Sequence, residues 1–220
     1  MKILVIAPHP DDEVLGCGGI ISRFAKEGHQ VFVCIATKGC LPLFDEKDNI
    51  IDKKECLEAH KIMGVKDTIF LDFPAAMLET VPRNELNKAF IELIQKVKPE
   101  EVYIPHKGDM HIDHKMIVDA CMVALRPRYE HIVKRIYAYE TLSETDWDIP
   151  NTVNAFIPNV YVDIVDEINN KVNAMKAYKH QICKCPNPRS KEGIVSLAQH
   201  RGMTVGMKYA ESFMLIRDIK

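Results

Sequence analysis

No stretch of the chain approaches the roughly 18 consecutive apolar residues that a membrane-crossing helix needs. The apolar run nearest the start, Ile3 to Ala7, is too short for a signal-peptide core and meets charge at Asp11. The expectation is a soluble, cytoplasmic protein without a membrane span. Runs of lysine and arginine are also lacking, and the formal net charge is −2, so nothing favours a nucleic-acid partner. No internal repeat and no low-complexity linker divides the chain. Cysteine is present without forming a framework. The seven residues are odd in number and irregularly spaced, and Cys183-Lys-Cys185 lacks the two-residue spacer of a common zinc or redox pair. They read as buried or idle thiols in a reducing compartment.

What is there is ordinary globular composition, 47% apolar and 27% charged over 220 residues, which favours one domain with a sizeable core. Ile3 to Ala7 has the continuous apolar character of a strand buried on both faces of a parallel sheet. A helical pattern through Val14, Leu15, Ile20, Ile21, Phe24 and Ala25 follows and stops at Gly28. The alternation then repeats. Strands are expected at Val31–Ala36, Thr68–Leu71 and Val102–Ile104, and helices at about Asp52–Met63, Arg83–Val97 and His114–Leu125. Such βα units predict an α/β, Rossmann-like, doubly wound and mostly parallel sheet with helices on both faces. Residues 1–126 would form this core. Residues 127–220 would be a smaller αβ extension completing the sheet and the pocket, with strands at Arg135–Tyr139, Val160–Val162 and Ser212–Ile216 and helices at Val165–His180 and Lys191–Arg201. Gly39–Asp48 and Ser143–Pro158 read as long surface loops, the usual carriers of substrate contacts.

Ligands bind open parallel sheets beyond the carboxyl ends of the strands. The first strand runs out into Pro8-His9-Pro10-Asp11-Asp12-Glu13, an imidazole and three carboxylates on a turn stiffened by prolines. Imidazole with carboxylate suits zinc. The plainer reading makes the acidic residues helix-start carboxylates that cap amides, which fits Glu13 alone better than the whole cluster. A nucleotide-loop reading of Gly16-Cys17-Gly18-Gly19 fails on spacing, because the third glycine of G-x-G-x-x-G falls on Ile21. Close packing of the helix on the sheet accounts better for these glycines. The fourth strand runs out into a second cluster, His106 to His114, holding three histidines and two aspartates. One of His111 and His114, three apart at a helix start, could complete a metal site while the other acts on substrate.

His9-Pro10-Asp11-Asp12-Glu13 after a short strand, joined by His111-Ile112-Asp113-His114, resembles the PIG-L/LmbE-like de-N-acetylases. The likeness extends through Asp72-Phe73-Pro74, Tyr139-Glu140-Thr141, Ala177 to Gln181, Arg201-Gly202, Gly206 and Tyr209 to Phe213. By that resemblance, His9, Asp12 and His114 would hold one Zn2+ per chain, other divalent metals being possible, and Asp11 would be the general base. His111 would stabilise the oxyanion or serve as general acid, with Asp113 tuning its charge. The implied activity is hydrolysis of the N-acetyl group of an N-acetylglucosamine-type amino sugar or conjugate. The alternatives are a zinc amidohydrolase acting on another N-acyl substrate, or a non-catalytic metal- or nucleotide-binding module. Several relatives are hexamers, which extends the expectation to a homo-oligomer. The chain departs from the family pattern at Lys53 and Lys54, where arginine is frequent, and at Ile112, where proline is common. For contacts to the sugar the candidates are Glu140, Trp147, Arg189 and Arg201.

Overall fold

In this computed structural model, which describes all 220 residues, β1 (Lys2–Ala7) lies inside a seven-stranded sheet. The other strands are β2 (Gln30–Lys38), β3 (Asp67–Pro74), β4 (Glu101–Pro105), β5 (Arg135–Tyr139), β6 (Val160–Asp163) and β7 (Ala210–Asp218). Their order across the sheet is β3-β2-β1-β4-β5-β7-β6. The strands from β3 to β5 pair in parallel, and β7 runs antiparallel to both β5 and β6. The expected α/β sheet, mostly parallel and covered on both faces, is the one observed.

Alternation along β1 explains the double covering. Ile3, Val5 and Ala7 point into one core with α1 (Asp12–Lys26), α2 (Glu46–Met63), α5 (Ile168–Ala177) and α6 (Lys191–Met203). Leu4 and Ile6 point into the other, against α3 (Arg83–Val97) and α4 (Ile112–Ala124). A strand with side chains of period two that is buried on both sides must be apolar throughout.

Two helices differ from expectation. The α2 helix begins six residues before Asp52, with Asp45 as its cap accepting from the amides of Lys47 and Asp48 at 2.7 and 3.0 Å. Its first turn is polar, and Ile50 and Ile51 after it are exposed and add no inward-facing period, and the loop expected to reach Asp48 ends at Asp45. The α5 helix is shorter than Val165–His180 because the Asp163 carboxylate accepts from Val165 N at 2.9 Å and holds a turn there. No helix is long and apolar enough to cross a membrane.

The chain leaves β1 towards β2 and β3 on one side, and returns through β4 on the other. The order therefore reverses between β1 and β4, and there a crevice opens at the carboxyl ends. Both clusters leave the sheet at that point.

Candidate active site

The turn after β1 is fixed from outside and within. The Pro8 carbonyl accepts from the amide and hydroxyl of Thr37 on β2, at 3.0 and 2.8 Å. Asp12 Oδ2 accepts from His9 N at 2.9 Å. Asp11 adopts φ 102°, a conformation L residues rarely take, and as the residue before α1 it gives that helix no side-chain cap. Strain of this kind costs about 1–3 kcal/mol and persists only where the surroundings impose it. Here the restraint comes through Glu13: Oε2 accepts from Asp11 N at 3.1 Å, and Oε1 accepts from Tyr178 Oη at 2.6 Å. His60 Nε2 lies 3.3 Å from the same Oε1, and His60 Nδ1 bonds the Thr68 hydroxyl at 2.7 Å. Glu13, Cys56 and His60 have a ligand-like grouping, but their atoms are already committed to this network, and it braces the loop.

His9, Asp12 and His114 bring ligand atoms within 4.8 Å of one another. Asp12 Oδ2 is 3.3 Å from His9 Nδ1 and 3.2 Å from His114 Nε2. Asp12 Oδ1 and His114 Nε2 are buried with no hydrogen-bond partner. Two imidazole nitrogens and a carboxylate, converging in this way, fit a zinc ion, and three protein ligands leave a coordination position open. The far side of each imidazole is held by a carboxylate. His9 Nε2 lies 2.9 Å from Asp113 Oδ2, and His114 Nδ1 lies 2.8 Å from Asp109 Oδ2. Such partners orient metal-binding imidazoles and raise their basicity.

The charges follow from these contacts. In the chain alone, burial opposes protonation of His9, but hydrogen bonds to Asp113 and Asp12 outweigh it and raise the ring to about 9. Burial likewise works against charge on Asp12, yet His114 and His9 hold its carboxyl well below the usual range. Burial pushes Asp11 the other way, well above its usual range, with Arg189 opposing.

Asp113 lies beside His111, as the sequence suggested, but its hydrogen bonds go elsewhere. Its Oδ2 serves His9 and the Ala76 amide, the latter at 2.7 Å, and is 4.0 Å from His111 Nδ1. His111 Nδ1 instead accepts from Asp113 N at 3.1 Å. An accepting Nδ1 carries no proton, so the ring is neutral with its proton on Nε2. Burial and the neighbouring His9 agree, lowering His111 to about 4, with Asp113 opposing.

Beside His9 lies a cavity of about 590 Å3, within the usual range of small-molecule sites. His9, Asp11, His111 and Arg189 line it, together with Lys38, Phe44, Asn49, Ile50, Lys53 and Asp72. Lys53 Nζ sits 4.3 Å above the Phe70 ring. Arg189 is held by Ser143 Oγ at 2.7 Å and donates through Nη1 to Asp11 Oδ2 at 2.9 Å. The other three residues expected at the sugar lie elsewhere. Glu140 and Arg201 pair with each other at 2.6 and 2.8 Å beside a separate small cleft, each answering the other's charge. Trp147 is 53% exposed and lines none of the cavity. Asp109 and Glu144, which had no role assigned from sequence, both stand at the site. Asp109 lay inside the histidine-rich segment and was open to being found, whereas Glu144 lay in the loop expected to carry substrate contacts but in no motif that singled it out.

The family model described as PIG-L, GlcNAc-PI de-N-acetylase, matches residues 4–125. An uncharacterized deacetylase of Escherichia coli (strain K12) is 33% identical over 184 residues, covering 80% of this chain and 90% of that one. Among solved structures, a conserved protein of Thermus thermophilus superposes with a TM-score of 0.81 at 27% identity, over 99% of this chain and 96% of that one. A 4-carboxy-2-hydroxymuconate hydratase from Pseudomonas putida reaches 0.78 at 18% identity, over 100% and 97%. The last likeness is one of fold alone.

Proposed function

The chain belongs to the PIG-L family, and from that membership and the site geometry we propose a zinc-dependent hydrolase that removes the N-acetyl group of an N-acetylglucosamine-type amino sugar or conjugate. A hydratase shares the fold, so fold by itself does not choose the reaction. The carrying observation is the convergence of His9 Nδ1 and His114 Nε2 on Asp12 Oδ2, at 3.3 and 3.2 Å, with His114 Nε2 buried and without a hydrogen bond, next to a cavity that His9 and Asp11 line.

His9, Asp12 and His114 would hold the ion. When bound, zinc lowers the pKa of a coordinated water towards about 7 and polarises the acyl carbonyl. Everything else falls to the chain's own residues. Arg189 occupies Asp11 Oδ2 and leaves Oδ1 without a protein partner, free to take a proton from the attacking water. As the carbonyl carbon becomes tetrahedral, negative charge grows on its oxygen. His111 is suited to meet it as a neutral donor through Nε2–H, since Nδ1 is occupied by the Asp113 amide. A neutral His111 has no surplus proton for the departing nitrogen. Asp11, having gained one, returns it as the C–N bond breaks, giving the free amine and acetic acid, whose remaining proton passes to solvent or to the amine to leave acetate.

The test joins metal analysis to turnover on one sample. About one zinc per chain, with acetate released from N-acetylglucosamine conjugates by the parent chain and abolished in a zinc-retaining Asp11→Ala variant, is the expected result. Loss of zinc in Asp11→Ala would move Asp11 from base to ligand. Zinc without release from any conjugate would transfer the proposal to another N-acyl amide.

A further inference from the structure

Glu144 is a carboxylate with no hydrogen bond inside the protein, although it is only 9% exposed. Its Oε2 is enclosed and unpaired. Its Oε1 stands 3.8 Å from Arg189 Nη2, beyond hydrogen-bond reach. The guanidinium makes its hydrogen bonds through Nε and Nη1, to Ser143, Asp11 and Gln181, and Nη2 faces Glu144 only as a distant charge. The position of Glu144 is not loose, because its amide donates to Thr141 O and its carbonyl accepts from Met110 N, each at 3.1 Å. Its side chain lines the same cavity as Asp11 and His111, and it lies outside the groups whose ligand atoms converge.

Burying a carboxylate without a hydrogen bond is costly even with a guanidinium 3.8 Å away, and burial pushes the Glu144 carboxyl up despite Arg189; such a group in a native site calls for a ligand that satisfies it. The missing partner must be a donor. Phosphate or carboxylate groups would be repelled, whereas sugar hydroxyls donate well to an ionised acceptor. We propose that Glu144 is a specificity-determining residue whose carboxylate accepts a hydrogen bond from a ring hydroxyl of the amino sugar in the cavity. This rests on the amino-sugar reading above and goes further by assigning the residue that recognises the ring.

The experiment measures binding of glucosamine and its 3-, 4- and 6-deoxy analogues to the zinc-loaded chain by calorimetry, alongside acetate release from N-acetylglucosamine conjugates. One deoxy analogue should bind the parent chain at least about tenfold more weakly than glucosamine, as expected for losing a hydrogen bond to a charged group. Glu144→Leu should bind glucosamine and that analogue equally, and Glu144→Gln, which keeps a carbonyl acceptor, should retain part of the discrimination. Equal weakening of every analogue in Glu144→Leu, no discrimination by the parent chain, or no binding of any member would overturn the assignment. Discriminating binding without acetate release would sink the hydrolase reading and leave this one standing. Acetate release without discrimination would do the reverse.

Discussion

His114 Nδ1 and Asp109 Oδ2 lie 2.8 Å apart, both fully buried, and Thr145 Oγ1 donates to the other Asp109 oxygen at 2.6 Å. This contact keeps the Nδ1 proton on His114 and turns Nε2 towards Asp12 and His9. Asp109→Ala removes the acceptor without touching His9, Asp12 or His114, the proposed ligands. Zinc affinity, measured by competition with a chromogenic chelator, should fall about 10- to 100-fold. Unchanged affinity would mean that helix α4 alone orients the ring.

Arg189 makes a different kind of contact, binding Asp11 and Ser143 through two nitrogens of one rigid plane. Lysine cannot reproduce that fork. With Asp11 as the proposed base, Arg189→Lys should leave zinc binding unchanged while kcat falls on the order of 100-fold, the loss expected when a reacting group is misplaced by about an ångström. A rise in KM at constant kcat would instead make Arg189 a substrate contact that does not position the base.

The sheet was legible because its central strands are apolar on both faces, and Ile3 to Ala7 carries that signature by itself. The convergence of the two histidine-bearing loops was also legible, since strand order places both at the switch point. Less legible was anything decided by how a loop folds back. Asp113 lies next to His111 along the helix start, yet its carboxylate turns to His9, 104 residues away in sequence. Glu140 and Arg201 are 61 residues apart and cancel one another, a pairing no local pattern announces. The start of α2 had its cap at Asp45 but lacked an apolar face, so periodicity passed over it.

Gly16 faces the ring of Tyr139, whose hydroxyl donates to Ile6 O at 2.8 Å in the centre of the sheet. A Cβ on residue 16 would stand 2.1 Å from Tyr139 Cδ2. Alanine is the better helix former by about 1 kcal/mol, but a buried ring cannot yield that much space without moving β5 or α1. Overpacking should win, and Gly16→Ala should lower unfolding free energy by about 1–3 kcal/mol in urea titration. Equal or greater stability would show that the helix shifts freely on the sheet.

Lys171 and Glu211 form a buried pair inserted into helix α1. Lys171 Nζ donates to Glu211 Oε1 at 2.6 Å and to Leu15 O at 2.8 Å, while the Glu211 oxygens accept from Gly19 N and Ile20 N at 2.7 Å each. The pair thus ties β7 and α5 to the helix whose first residue is Asp12. Gly18 and Gly19 leave the room: a Cβ on either would come within 3.0 Å of Lys171 Cγ or of Ile164 and Glu211. Removing one partner strands a charge in the interior, so Lys171→Met or Glu211→Leu should each cost about 3–5 kcal/mol in denaturant unfolding. The double variant should cost less than the sum, because an apolar pair buries no unpaired charge. It does not return to the parent value, since the amides of Gly19 and Ile20 would still lack their acceptor. Additive losses would show that the two side chains act separately, Glu211 on the helix amides and Lys171 on the Leu15 carbonyl.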